Sequence, residues 1–121
     1  MVEQIFIAVV LAVIDGDTFR AQIPVWEGLT VTTLVRLEGI DTPELRGRCQ
    51  EEKNKALQAK EALTQFLQGK SVTLHSVQPD KYAGRVIADV RVDFESISTQ
   101  MVSRGFARKY SGGERLGWCG N

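Results

Sequence analysis

Residues 51–68, EEKNKALQAKEALTQFLQ, decide how the rest of the chain is read. Ala56, Ala59, Leu63, Phe66 and Leu67 recur at three- and four-residue steps, so the spacing predicts an amphipathic helix over Glu51–Gln68 with one apolar stripe. Gly69 supplies a helix stop. On either side of this helix the period changes to two. Upstream, Phe19, Ala21 and Ile23 alternate with Thr18, Arg20 and Gln22. Val31, Thr33, Val35 and Leu37 then line one face of a further strand, with Arg36 on the other. Ile5–Ile14, apolar on both faces, reads as a buried first strand, and Pro24–Gly28 as the break before the third. Downstream, Val72–Val77 is a fourth strand, and Val86, Ala88, Val90 and Val92 alternate as a fifth. Ile97, Met101 and Val102 suggest a short second helix with Gly105 at its end.

The fold class is therefore mixed α+β, mainly β. Five short strands with a helix between the third and fourth suggest a small barrel. That placing is consistent with an OB-fold, although strand count alone does not separate it from other small barrels. A chain of 121 residues without repeats or low-complexity stretches reads as one domain, 1–121.

The composition, 43% hydrophobic and 25% charged, is that of a globular chain and not a disordered one. The 15 basic residues are cancelled by 15 acidic ones. That balance argues against tight binding of duplex nucleic acid through a broad basic face, but not against a focused site built on a few cations. The longest apolar run, Ile5–Ile14, is ten residues and too short to cross a bilayer. Glu3 precedes it and no basic n-region or small-residue cleavage site is present, so no signal peptide is read. The sequence as given is expected to be cytoplasmic, or exported or periplasmic where a signal has been removed. No membrane partner is expected.

Cys49 and Cys119 do not have the spacing of a zinc site. Two readings stand: free thiols in a reducing cytosol, or one disulfide tying the region after Pro43 to the C-terminus. The second would stabilise by roughly 4 kcal/mol in the loop-entropy model.

Three separated pieces carry chemistry: Ile14-Asp15-Gly16-Asp17-Thr18, then Val35-Arg36-Leu37-Glu38-Gly39-Ile40-Asp41-Thr42-Pro43-Glu44, then Asp80-Lys81-Tyr82-Ala83-Gly84-Arg85. Taken singly each has a bland reading. Asp-Gly-Asp suits a hairpin turn. Asp41 with Glu44 three residues on suits a helix start. A lone arginine is usually a surface ion pair. Together they supply oxygen donors for a hard cation and two guanidinium forks for a phosphate, the combination that phosphodiester hydrolysis needs.

In order and type these pieces resemble the active-site motifs of the staphylococcal (thermo)nuclease family. The resemblance continues through Leu63, Gly69-Lys70, Val86-Ile87-Ala88 and Gly105-Phe106-Ala107. It implies an OB-fold and a calcium-dependent nuclease acting on DNA and RNA with little sequence specificity. Single strands or frayed ends would be favoured, and 3′-phosphates left. On matching positions it implies that Asp17, Asp41 and the Thr42 carbonyl hold Ca2+, with Asp15 orienting them. Arg36 and Arg85 would contact the scissile phosphate, and Glu44 would serve as general base or water-orienting group. Lys81 and Tyr82 would contact a terminal phosphate. Where the family has Asp-Lys-Tyr-Gly-Arg, this chain carries Ala83 before Gly84, which shifts Lys81 and Tyr82 relative to the pattern. Tyr110 is the one candidate after Gly105-Phe106-Ala107 for the family's nucleotide-stacking tyrosines. The family's further C-terminal helix is not expected in full. Trp118 reads as a core anchor ahead of a base-stacking platform. His75, the only histidine, lies in strand four away from every motif and reads as structural. The alternative function is a nuclease-like module without useful catalysis, binding single-stranded nucleic acid or a protein. A monomer is expected.

Overall fold

The computed structural model describes residues 4–120. In chain order its elements are β1 (Phe6–Asp15), β2 (Thr18–Trp26), β3 (Leu29–Leu37), β4 (Ile40–Asp41), α1 (Gln50–Leu67), β5 (Val72–Pro79), β6 (Arg85–Val92), β7 (Glu95–Ser96), α2 (Ile97–Ser103) and β8 (Arg108–Lys109). β1 pairs antiparallel with β2, β2 with β3, and β5 with both β1 and β6. A parallel ladder from Leu34↔Arg85 to Leu37↔Ala88 joins β3 to β6 and closes the circuit. The result is a closed five-stranded barrel with α1 entering between the third and fourth barrel strands, the arrangement of an OB-fold.

Alternation along the strands fills the barrel. Phe19 and Ala21 from β2, Val35 and Leu37 from β3, Val72 and Leu74 from β5, and Ala88 and Val90 from β6 are fully buried. α1 adds Ala59, Leu63 and Leu67 to the same core, and α2 adds Ile97 and Met101. Each fully buried Leu, Val or Phe contributes about 1.5–3 kcal/mol. Irregularities in the β1–β2 register at Val10/Ala12 and Val13/Asp15 bend β1 around the barrel.

Three expectations are corrected. β1 is not buried on both faces: Ile7, Val9 and Leu11 are 63%, 53% and 46% exposed. Only the interior side of β1 meets the core, and an apolar run alone does not distinguish one-sided from two-sided burial. Pro24 does not break the chain; β2 runs on to Trp26 and the turn is at Glu27 and Gly28. The ladder with β1 ends at Val9↔Gln22, so the missing N–H of Pro24 falls beyond it. Val31 shares the alternation of Val35 and Leu37 but is 41% exposed, because β3 joins β6 only from Leu34 onward and the β2–β3 hairpin projects past the barrel.

The cysteine alternatives resolve to a disulfide. Cys49, the N-cap of α1, is bonded to Cys119 with a Cα–Cα distance of 6.0 Å. No helix is long and apolar enough to cross a membrane among the described residues.

Candidate active site

The β1–β2 turn presents the first carboxylates. Asp15 pairs with Thr18 across it, leaving Gly16 and Asp17 at the tip. Gly16 is required by close approach: a Cβ there would lie 2.7 Å from Ala59 Cβ and 3.2 Å from Thr42. A glycine thus lets the turn sit against α1 and against the loop after β4, which brings two sequence motifs together. Asp17 is 8% exposed; its N–H donates to Asp15 Oδ1 at 3.0 Å and Thr18 Oγ1 donates to its Oδ1 at 2.9 Å. The Asp17 carbonyl accepts from Leu37 N at 2.8 Å, tying the turn to the end of β3. Burial, then the neighbouring Asp15 carboxyl, outweigh the pull of Arg36 and the Thr18 hydroxyl, and push the Asp17 carboxyl up to about 6.

Arg36 leaves β3 beside this turn because Thr18 and Arg36 are partners in the β2–β3 ladder. Its Nη2 lies 3.6 Å from Asp17 Oδ2 and donates to Ile40 O at 3.2 Å. After β3, β4 carries Asp41 and the chain continues through Thr42; both are buried, at 2% and 3% exposure. Residues 42–49 form no helix, so the capping reading of Asp41 and Glu44 does not apply. Glu44 is exposed and its backbone is held from behind: its N–H donates to Glu52 Oε2 at 3.1 Å, and Arg48 N donates to Glu52 Oε1 at 3.1 Å. Glu52 is buried in α1, and these N–H groups, Glu44 first, hold its carboxyl below the usual range against the effect of burial. Gly47 leaves room for it, since a Cβ there would meet the Glu52 side chain at 2.6 Å.

The third motif is the β5–β6 turn, closed by Asp80 N donating to Arg85 O at 3.2 Å. Arg85 ion-pairs with Asp80 and lies 4.7 Å from the Tyr82 ring centroid. Burial would raise the Asp80 carboxyl, but the Arg85 guanidinium and the Lys81 N–H outweigh it and hold it low. Lys81 Nζ lies 5.3 Å from the same ring. Tyr110 donates from its N–H to Gly39 O at 2.9 Å and from its hydroxyl to Gly113 O at 2.8 Å, and it faces the hollow that Lys81 and Tyr82 line.

One cleft of about 260 Å³ is lined by Asp15, Asp17, Arg36, Thr42, Glu44, Tyr82 and Arg85. The three motifs therefore meet. The acidic groups, however, divide between two arginines. Asp17 faces Arg36, whereas Asp41 and Glu44 both pair with Arg115, Glu44 through Oε1 to Arg115 Nη1 at 2.9 Å. Among the described residues the group of three Cys, Asp, Glu or His side chains converging within 4.8 Å is Cys49, Glu52 and Cys119, two of which are joined in the disulfide.

Arg115 is the charged cleft residue that the motifs did not single out. Its signal in the sequence was indirect: it lies four residues before Cys119, whose partner Cys49 follows Glu44 by five. Trp118 is neither a core anchor nor an open platform; it is half-buried with the Arg108 guanidinium 3.6 Å from its ring centroid. His75 is buried, with Nε2 2.9 Å from Thr73 Oγ1, in keeping with a structural role.

The family model for staphylococcal nuclease homologues matches residues 34–115, a span that begins within β3 and includes Arg36, Glu44, Arg85 and Arg115. A protein of Oryza sativa subsp. japonica named Probable staphylococcal-like nuclease CAN1 is 36% identical over 77 residues, 64% of this chain and 21% of that protein. An uncharacterized 38.1 kDa protein of Capnoides sempervirens is 34% identical over 77 residues, with the same coverage of 64% and 21%. Probable endonuclease lcl3 of Emericella nidulans is 34% identical over 130 aligned positions, 84% of this chain and 46% of that protein. The chain thus spans between about a fifth and about half the length of these curated relatives.

Proposed function

This chain belongs to the staphylococcal nuclease homologue family, and from that premise we propose that it is a nuclease that hydrolyses phosphodiester bonds of DNA and RNA with little sequence specificity, using calcium. The observation that carries the reading is the single cleft in which Asp17, Arg36, Glu44 and Arg85 converge from three different segments. The chemistry of the donor set fits a hard cation. Asp17 and Asp41 are buried carboxylates, Thr42 sits against the same turn, and no softer ligand intervenes in the cleft. Burial and the neighbouring Asp15 carboxyl push Asp17 up to about 6, and a cation held there would act in the opposite direction. We assign Asp17, Asp41 and the Thr42 carbonyl to calcium, which when bound would polarise the phosphate and supply charge that these side chains lack.

The remaining roles belong to the chain's own groups. Arg36 and Arg85 come from the paired strands β3 and β6, two positions apart in their register, and each offers a planar fork of donors for equatorial phosphate oxygens as negative charge builds there. Glu44, exposed at the rim with its backbone fixed by Glu52, orients the attacking water and receives its proton. Lys81 and Tyr82 bind a neighbouring phosphate, and Tyr110 offers a ring beside them. The charged side chains that line the cleft suit phosphate oxygens, so recognition in this reading runs through the backbone and favours a single strand over a duplex. We further propose that the chain acts as a monomer and as one domain.

The test is cleavage of labelled single-stranded DNA with calcium and with chelator, beside Glu44→Gln. Calcium-dependent cleavage that the variant loses is expected. Equal activity in the variant would refute the role of Glu44. A folded protein that retards DNA on a gel and cleaves it under neither condition would replace the enzyme with a binding module.

A further inference from the structure

The C-terminal segment brings a third guanidinium to the cleft. Arg115 donates from Nη1 to Glu44 Oε1 at 2.9 Å and from Nη2 to Asp41 Oδ1. Its side chain is 42% exposed although the Asp41 side chain is only 3% exposed. It lines the cleft shared by Glu44 and Arg85, the hollow that holds Lys81 and Tyr82, and a third depression running past Arg46 and Arg48. Arg115 therefore stands where three depressions meet, beside the carboxylate assigned to the attacking water.

The segment that carries it is fixed by contacts involving neither Asp41 nor Glu44. Cys119 is bonded to Cys49 at the start of α1. Arg108 Nη2 donates to Leu116 O at 2.9 Å and to Gly117 O at 3.1 Å, and the same guanidinium stacks on Trp118. On the other side Tyr110 donates its hydroxyl hydrogen to Gly113 O at 2.8 Å. A strap with these fastenings exceeds what an ordinary exposed ion pair needs, and such a pair contributes little by itself. Pinned on both sides, the strap delivers a partly exposed guanidinium to a place where polyanion is expected, with donors to spare beyond the two given to carboxylates.

We propose that Arg115 is a substrate-binding residue: it takes a non-bridging phosphate oxygen of the strand on the Glu44 side of the cleft, and the disulfide-closed strap is what presents it. The inference rests on the nuclease reading. A phosphate entering the cleft offers Arg115 anionic oxygens with the geometry its fork matches, in exchange for the carboxylates that hold it in their absence. The two arginines of the motifs reach the phosphate from the paired strands β3 and β6; Arg115 reaches it from the C-terminal segment.

The experiment is steady-state cleavage of a labelled single strand of about 12 nucleotides in calcium, with KM and kcat separated and the series repeated from about 50 to about 300 mM salt. Wild type, Arg115→Ala, Arg115→Lys and Cys119→Ser are compared, and the calcium affinity of each is read by calorimetry without nucleic acid. Arg115→Ala is expected to raise KM roughly tenfold or more, with kcat changed less, as for loss of one charge-assisted hydrogen bond. Its log–log salt slope should be shallower by about 0.7, the signature of one lost phosphate contact on a single strand. Arg115→Lys should fall between, and Cys119→Ser, or wild type with reductant, should share the rise in KM. Unchanged KM and slope in Arg115→Ala would overturn the inference. So would tighter calcium binding with faster cleavage, which would make Arg115 a competitor of the cation. A defect in Arg115→Ala that Cys119→Ser does not share would overturn the role of the strap. Wild type that fails to cleave would bring down the nuclease reading itself, and this inference with it.

Discussion

Arg36 Nη2 lies 3.6 Å from Asp17 Oδ2, a contact between two motifs that the pairing of Thr18 with Arg36 in the β2–β3 ladder brings within reach. A residue assigned to phosphate and a residue assigned to the cation are thus neighbours by strand register, before either meets a ligand. The contact does not neutralise Asp17, because burial and Asp15 act in the other direction.

The sign of a pH dependence follows. The Asp17 carboxyl stands at about 6 in the fold against 3.8 without it, so its contribution to stability is present below pH 3.8 and is lost as pH rises through about 6. In chelator, Asp17→Asn should therefore gain in Tm relative to wild type as pH rises from about 4 to about 7. With calcium the order should reverse near neutral pH, since only wild type gains binding energy on folding. Thermal unfolding of both proteins across pH, with and without calcium, checks this. A variant that calcium stabilises as well as wild type would remove Asp17 from the cation site.

Removing either motif arginine should damage turnover more than binding. A preorganised donor to developing charge contributes on the order of 100- to 1,000-fold in rate, and that loss is expected in kcat for Arg36→Ala and for Arg85→Ala. Arg85→Lys keeps the charge and loses the fork that pairs with Asp80 and stacks on Tyr82, so it should recover only part of the loss. A deficit of less than about tenfold in either alanine variant, measured on single-stranded DNA, would take that arginine out of the mechanism.

Period and punctuation made most of the barrel legible. The alternation of Phe19, Ala21 and Ile23 and the stripe of Ala56, Ala59 and Leu63 correspond to buried faces. What was not legible depends on distances along no single element. The outer face of β1 carries Ile7, Val9 and Leu11 in the open, and their side chains give the same signal that a second covering layer would. In the cleft, residue type and order brought out Asp17, Arg36, Glu44 and Arg85, whereas Arg115 has no motif around it. It reaches Glu44 from 71 positions away through a disulfide that two cysteines alone left undecided. Gly16 stands in the turn that Asp-Gly-Asp predicts, but its close approach to Ala59 and Thr42 is a tertiary fact that no local pattern carries.

The disulfide makes a stability prediction of its own. It closes a separation of 70 residues, which in the chain-entropy account stabilises by about 4 kcal/mol. Urea unfolding with reductant should show a lower midpoint at unchanged fold, because the buried barrel residues Phe19, Leu37 and Leu74 belong to a core that does not include the bridge. Two titratable thiols in the unfolded, unreduced protein would contradict the bridge outright.

Glu52 should matter to activity without approaching substrate. Its two carboxylate oxygens each accept one backbone N–H, from Glu44 and from Arg48, and so fix the loop whose tip carries the Glu44 side chain. Glu52→Gln replaces one acceptor with a donor facing a donor, which should cost about 1–3 kcal/mol near neutral pH. Because the folded protein holds this carboxyl below 4.5, its contribution is fully present above that value and is lost as pH falls through the depressed one. The Tm difference between wild type and variant should accordingly shrink in acid. At neutral pH kcat should fall while calcium affinity stays, since Asp17 and Asp41 do not lean on Glu52. Measured kcat, calcium affinity and Tm then separate the outcomes: a variant with wild-type kcat would show that the 42–49 loop holds Glu44 in place without this anchor.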